Sequence, residues 1–382
     1  ADASDGDDGD DLDDGRVVGA WAWGGTLLAA VAACAGGAPA LATAVALVGG
    51  GRLVLRRRRP AREKTTRRRV AALFGGESWY PGAAADLWLT SPAFRRAALT
   101  TAFSFRRAGL ARFDKTFLEE TLFDADAADD LDARTRNAAA FLVQYALWVD
   151  LQTRGFEAVA CVGYSIGELA AAAATKTLAV DAVARLFAAT DYERFDAPGA
   201  MAVATGTEEA VRAAAASTGD AALVVAASFS ERAFMLSGPS PAVRAAKAAL
   251  ERSGGSAAVL KGVDHAYHSP VHAVIQHRPV DAEASRPTVP FYSCAAGSSV
   301  GIDGAPLDLG KLYDAPVRFR ETMDALLRSG AADCCLDLSL KGDLAYYAAA
   351  WRGGRDALPA FPTLRPLSDS ASGVDAGLRK VL

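Results

Sequence analysis

An α/β fold built on a parallel sheet is what this sequence predicts, on three observations. From residue 70 onward, strand-length apolar runs alternate with helical ones, the order that parallel strands joined by crossover helices require. Residues 199–264 break that rhythm with a β-α-β-β-α-β order, a ferredoxin-like subdomain inserted into the larger one. A stretch nearly free of charge, 17–55, precedes both. The chain has 382 residues, 51% of them hydrophobic and 23% charged, so it can bury the core that one large domain or two modest ones need.

Residues 1–16 read as an acidic disordered tail, with eight aspartates that turn a mildly basic chain into one of formal net charge −4. Residues 17–55 hold one charge, Arg52, and exceed the about 20 apolar residues that cross a bilayer. Gly36-Gly37-Ala38-Pro39 would kink a transmembrane span or turn a short hairpin. Residues 56–69 are a basic linker. Acidic before and basic after, the segment reads as a membrane anchor with the catalytic body on the cytoplasmic or organelle-stromal side. A cleaved organelle-targeting segment and a buried core helix are the alternatives.

Residues 70–198 form the first part of the large subdomain. "VAALF" is its first strand and "GGESWYPG" a glycine-rich loop. Ser91 is placed to cap the helix "SPAFRRAALTTAF". "DADAADDLDA" (124–133) reads as a polar surface insertion, and "NAAAFLVQYALWVDLQTRG" as an amphipathic helix ending at Gly155. The strand "AVACVG" and a helix from near Ile166 follow. The large subdomain resumes over 265–370 with strands "VPFYSCA" and "DCCLDLSL", and 371–382 read as a C-terminal tail.

Two function classes drop out on composition. The basic residues cluster in one short segment without interleaved aromatics, which argues against nucleic acid. Five cysteines, an odd count with no C-x-x-C, read as buried thiols in a reducing compartment and not as a disulfide framework.

The chemistry centres on Gly163-Tyr164-Ser165-Ile166-Gly167. A G-x-S-x-G sequence between strand and helix is a nucleophile elbow, whose tight turn demands small flanking residues and lifts the serine above the sheet. That places Ser165 as a nucleophile on an α/β-hydrolase-like core, with the Ile166 N–H as an oxyanion donor at a helix N-terminus. The competing reading makes Ser165 a helix N-cap. A serine nucleophile needs a base. All four histidines lie between 265 and 277. His268 serves as that base; the spacing of His265, His268 and His272 also fits a metal site, although Ser269-Pro270 interrupts any helix there. His265, His272 and His277 individually read as polar or capping residues, with His265 also a candidate to bind substrate.

"GYSIGELAAAAATKTLAVDAVARLF", "GAMAVA", "FMLSGPSPAVRAAKAALERSG", "DHAYHSPVH", "APVRFRETMDALLRSG" and "PTLRP" occur in that order. Together they resemble the malonyl-CoA:acyl-carrier-protein transacylases and the acyltransferase domains of polyketide and fatty acid synthases, over about residues 68–370. The resemblance implies ping-pong transfer of an acyl group from acyl-CoA, through an ester on Ser165, to the phosphopantetheine thiol of an acyl carrier protein. It implies His268 as general base, oriented by backbone carbonyls, and no bound cofactor.

The chain departs from that pattern at several positions expected to bind substrate. Thr190 stands where the family has the arginine that grips a malonyl carboxylate, and a hydroxyl does not replace a bidentate guanidinium. This argues against malonyl and for a non-carboxylated acyl group. Gly76 or Glu77 stands in place of an oxyanion-hole glutamine, Tyr164 in place of the histidine before the nucleophile, and Asn137 in place of a helix glutamine. Two other readings remain: a serine thioesterase or hydrolase, and a catalytically degenerate binding protein of the same fold. Arg106, Arg107 and Arg112 are candidates for meeting an acidic carrier, against an ordinary solvated helix face.

Overall fold

The computed structural model describes residues 68–381 except 128–129, 192–198, 262, 271–283, 301–306, 309–311, 313, 352–356 and 365–369. The acidic tail, the hydrophobic segment 17–55 and most of the basic linker lie outside the described residues. Among the described residues, no helix is long and apolar enough to cross a membrane.

In chain order the elements are β1 (Val70–Phe74), α1 (Ala85–Thr90), α2 (Pro92–Arg107), α3 (Lys115–Phe117) running into a π-helical turn (Leu118–Leu122), α4 (Ala133–Thr153), β2 (Ala160–Gly163), α5 (Gly167–Ala174) and α6 (Val180–Ala189). The inserted unit holds β3 (Gly199–Thr205), α7 (Glu208–Ala216), β4 (Val224–Ser228), β5 (Ala233–Pro239), α8 (Ser240–Arg252) and β6 (Ser256–Val259). Then come β7 (Phe291–Ser293), β8 (Ser298–Val300), α9 (Phe319–Ser329), β9 (Cys334–Asp337), α10 (Asp343–Ala350), β10 (Ala360–Pro362) and α11 (Ser370–Val381).

The larger sheet has the order β10-β9-β1-β2-β7-β8, parallel throughout except for the β7–β8 edge. β1, β2 and β9 are buried along their whole length, as central parallel strands covered on both faces must be. The smaller sheet has the order β4-β5-β3-β6 and is antiparallel. Its strands alternate: Ala200, Ala202, Phe234 and Leu236 pack in the cluster that contains Val211 of α7 and Val243 of α8. Met201 and Met235, one residue out of phase, belong to the core of the larger unit.

Two sequence expectations change. The helix read as amphipathic is buried nearly all round, and it starts at Ala133 with Asp132 as N-cap, its side chain accepting from the Thr135 N–H. Its polar members turn inward and find partners: Gln144 accepts from the Gly75 N–H at 2.6 Å and donates to the Gly75 carbonyl at 3.1 Å. The segment from residue 371, read as a tail, is helical in α11 and buries Val374 and Val381. Ser91 does cap α2, accepting from the Phe94 N–H.

Candidate active site

β2 ends at Gly163 and α5 begins at Gly167, so the chain reverses over three residues. Ser165 takes φ 54°, a left-handed conformation that costs a residue with a Cβ about 1–2 kcal/mol. The flanking glycines make the reversal possible. A Cβ on Gly167 would stand 2.2 Å from the Phe74 carbonyl oxygen, and one on Gly163 would stand 2.6 Å from Glu168 Cα. The amides of Gly167, Glu168 and Leu169 donate to the carbonyls of Tyr164, Ser165 and Ile166, while the Ile166 N–H has no backbone acceptor among the described residues. Gly76, on the loop after β1, lies so near that a Cβ there would be 3.4 Å from Ser165 Cβ. Buried Glu168, pushed up to about 8 by desolvation against the Ala295 N–H it accepts, ties the start of α5 to the turn after β7.

Ser165 Oγ lies 2.8 Å from His268 Nε2, and His268 Nδ1 lies 2.9 Å from the Ala315 carbonyl. A carbonyl only accepts, so Nδ1 carries the proton and Nε2 is left to accept from the serine hydroxyl. Burial pushes the imidazole down to about 4, with the Ala315 carbonyl pulling the other way, so the ring is neutral near pH 7. A backbone carbonyl thus orients the ring where many serine enzymes use a carboxylate. His268 is also left-handed, with φ 59°. Its loop is fastened to the smaller sheet: the Gly199 N–H donates to the Asp264 carbonyl at 2.9 Å, and Ser237 Oγ donates to the Tyr267 carbonyl at 2.5 Å.

The pair opens into a cavity of about 350 Å³. Its wall is mainly apolar, including Tyr164, Met201, Val203, Phe229, Met235 and Tyr347. Phe229 and Tyr347 stack at 3.8 Å, and Tyr164 packs against Phe229 and Phe319.

The other sequence-predicted positions fall as follows. Glu77 lines this cavity, but its carboxylate is turned to Arg136 Nε at 2.7 Å and to Asn137 Nδ2 at 2.8 Å, so it is not a bare charge facing an oxyanion. Asn137 is buried and reaches substrate space only through Glu77 and the Tyr267 hydroxyl, 3.3 Å away. Thr190 is outside the cavity lining; its hydroxyl donates to the Leu186 carbonyl at 2.7 Å and its own carbonyl accepts from Arg134 at 3.0 Å. His265 stacks on Tyr267 and lines a second cavity of about 560 Å³ with Arg112, Arg134 and Arg136. Arg107 and Arg112 sit 3.5 and 3.9 Å from Asp181 and Asp132, while Arg106 is exposed. Among the described residues no three metal-ligating side chains converge; His272 and His277 lie outside them.

Sequence reasoning missed Arg136, Ser237, Tyr267 and the Ala315 carbonyl. Arg136 carried no signal, since it lies 59 residues from Glu77. Ala315 opens the quoted "APVRF" stretch, but nothing in a carbonyl's sequence marks it as a histidine's partner.

The family model for the acyl transferase domain matches residues 76–339, more than half of the chain. The polyketide biosynthesis protein ThaF of Burkholderia thailandensis is 29% identical over 295 residues, covering 72% of this chain and 24% of that protein. This chain therefore spans about a quarter of that relative's length. The acyltransferase domain from the second module of the salinomycin polyketide synthase superposes with a TM-score of 0.67 at 26% identity, over 82% of this chain and 73% of that one. The malonyl CoA-acyl carrier protein transacylase from Clostridium perfringens shares the fold, with a TM-score of 0.63 at 14% identity over 82% of this chain and 98% of that one.

Proposed function

The chain belongs to the acyl transferase domain family, and on that premise we propose that it moves an acyl group from acyl-CoA to the phosphopantetheine thiol of a carrier protein through Ser165. The observation that carries this reading is the Ser165–His268 contact of 2.8 Å with Nδ1 tied to a carbonyl.

His268 Nε2 takes the hydroxyl proton as Ser165 Oγ attacks the thioester carbonyl. The Ile166 N–H and the loop at Gly76 face the oxygen on which negative charge develops. Collapse expels coenzyme A thiolate, which takes the proton back from His268 and leaves an ester on Ser165. The carrier thiol then gives its proton to His268 and attacks that ester, and Ser165 Oγ leaves with the proton. The acyl group we assign is one without a free carboxylate. The mainly apolar wall and the placement of Thr190 outside the cavity support this.

Anchoring by residues 17–55 is a separate proposal that rests on the composition of that segment. Cosedimentation with membranes, lost on deleting the segment, tests it.

The first test incubates the full chain with acetyl-, butyryl- and malonyl-CoA and reads intact mass. A stable adduct is expected in the wild type, with the labelling rate down about a thousandfold or more in Ser165→Ala and His268→Ala. Turnover of thioester to free acid without carrier protein would make the chain a hydrolase. A folded protein with neither adduct nor turnover would make it a binding protein.

A further inference from the structure

The Ser165 cavity is lined by two carboxylates of the protein's own, Glu77 and Asp343, of which Glu77 lies beside the nucleophile loop. Glu77 is one residue from Gly76, which touches the nucleophile, and its side chain is only 13% exposed. Both its oxygens are engaged, one by Arg136 and one by Asn137. The donors are equally committed. Arg136 Nε meets Glu77 at 2.7 Å, Nη1 donates to the Leu131 carbonyl at 2.5 Å, and Nη2 lies 3.6 Å from Asp264. Asn137 Nδ2 also donates to the Ala133 carbonyl at 2.8 Å. The other cations of the cavity lining, Lys261 and Lys341, are exposed, where solvent screens them. Arg134 lines the second cavity and not this one.

Resting on the acyl-transfer reading above, we infer that Glu77 determines specificity: it saturates Arg136 and Asn137 and so excludes acyl groups that end in a free carboxylate. Such a substrate finds Arg136 and Asn137 already occupied by Glu77, and an unpaired carboxylate in a part-buried site is costly. An uncharged acyl chain needs no partner and meets Tyr164, Phe229 and Met235 instead. Arg136 lines the second cavity and Glu77 the first, so the ion pair links the two walls.

The test compares adduct formation from malonyl-CoA and butyryl-CoA on the full chain, in the wild type and in Glu77→Gln. The amide keeps the shape and leaves the Arg136 charge unbalanced. The wild type is expected to prefer butyryl by about a hundredfold or more, and Glu77→Gln to cut that preference roughly tenfold by gaining malonyl adduct. Arg136→Met added to Glu77→Gln should remove the gain. Wild-type labelling by malonyl as fast as by butyryl overturns the inference, whether or not the variant folds. An unchanged preference in folded Glu77→Gln also overturns it, while leaving acyl transfer through Ser165 standing. No adduct from either donor in the wild type brings down the acyl-transfer reading and this inference with it.

Discussion

Ser165 and His268 share a left-handed backbone and a hydrogen bond, yet opposite means hold them. The serine is held locally, between Gly163 and Gly167, under the carbonyl of Phe74. The histidine is held from afar, by a carbonyl 47 residues away and by a loop that Gly199 and Ser237 pin to the smaller sheet. One sheet presents Ser165 and the other presents His268. The difference teaches that strain at a functional residue can be stored in a motif or in a tertiary contact, and only the first is written in adjacent letters.

The strongest way to break that comparison is to crowd each anchor. A Cβ on Gly167 would stand 2.2 Å from the Phe74 carbonyl oxygen, and one on Gly199 would stand 2.2 Å from the Ala266 amide nitrogen. Both contacts are to backbone, which cannot rotate away. Gly167→Ala and Gly199→Ala should each destabilise the fold by about 1–3 kcal/mol, read by thermal unfolding, and each should slow Ser165 labelling. A Gly199→Ala protein of wild-type stability and reactivity would show that the smaller sheet does not hold the base.

The pH profile sharpens the histidine side. A base works only when neutral, and burial holds His268 down at about 4. Labelling of Ser165 should therefore stay near its plateau from pH 8 down to about 5 and fall through about pH 4. An ordinary imidazole of pKa about 6.5 would already have lost about thirtyfold at pH 5. An acid limb near 6.5 in the native protein would mean that the ring is solvated and the loop open.

The same contrast explains what could be read from the sequence. The elbow, the strands β1 and β2 and the order of the inserted unit follow from local pattern, and the structure shows them where the letters put them. α4 misled because its alanines and its polar residues look like two faces, whereas Gln144 and Asn137 turn inward to backbone and side-chain partners. Glu77 read only as a stand-in for a glutamine because its partner, Arg136, is 59 residues away. Thr190 sits at the end of α6, and its bond to Leu186 shows only in three dimensions. The turn at Ser165 was legible because a strained turn needs specific neighbours; the surroundings of Glu77 and Thr190 were not, because they depend on which distant side chains meet.

The subtlest test of the comparison is Ser237→Ala. This hydroxyl on β5 donates to the Tyr267 carbonyl, one residue before the base, and both groups are buried. Removing it takes a donor from a buried carbonyl, a loss of about 1–3 kcal/mol, and loosens the loop without touching substrate space. Labelling should slow by roughly tenfold, a change that instability alone could also produce. The discriminating readout is the acid limb. A loosened loop admits water to His268, relaxes the desolvation that holds the ring down, and moves the limb up from about 4 toward the ordinary value. Ser237→Thr keeps the hydroxyl and should restore both rate and limb. A slower Ser237→Ala with an unmoved limb would make Ser237 a stability residue only, and the Ala315 carbonyl would then orient the base alone.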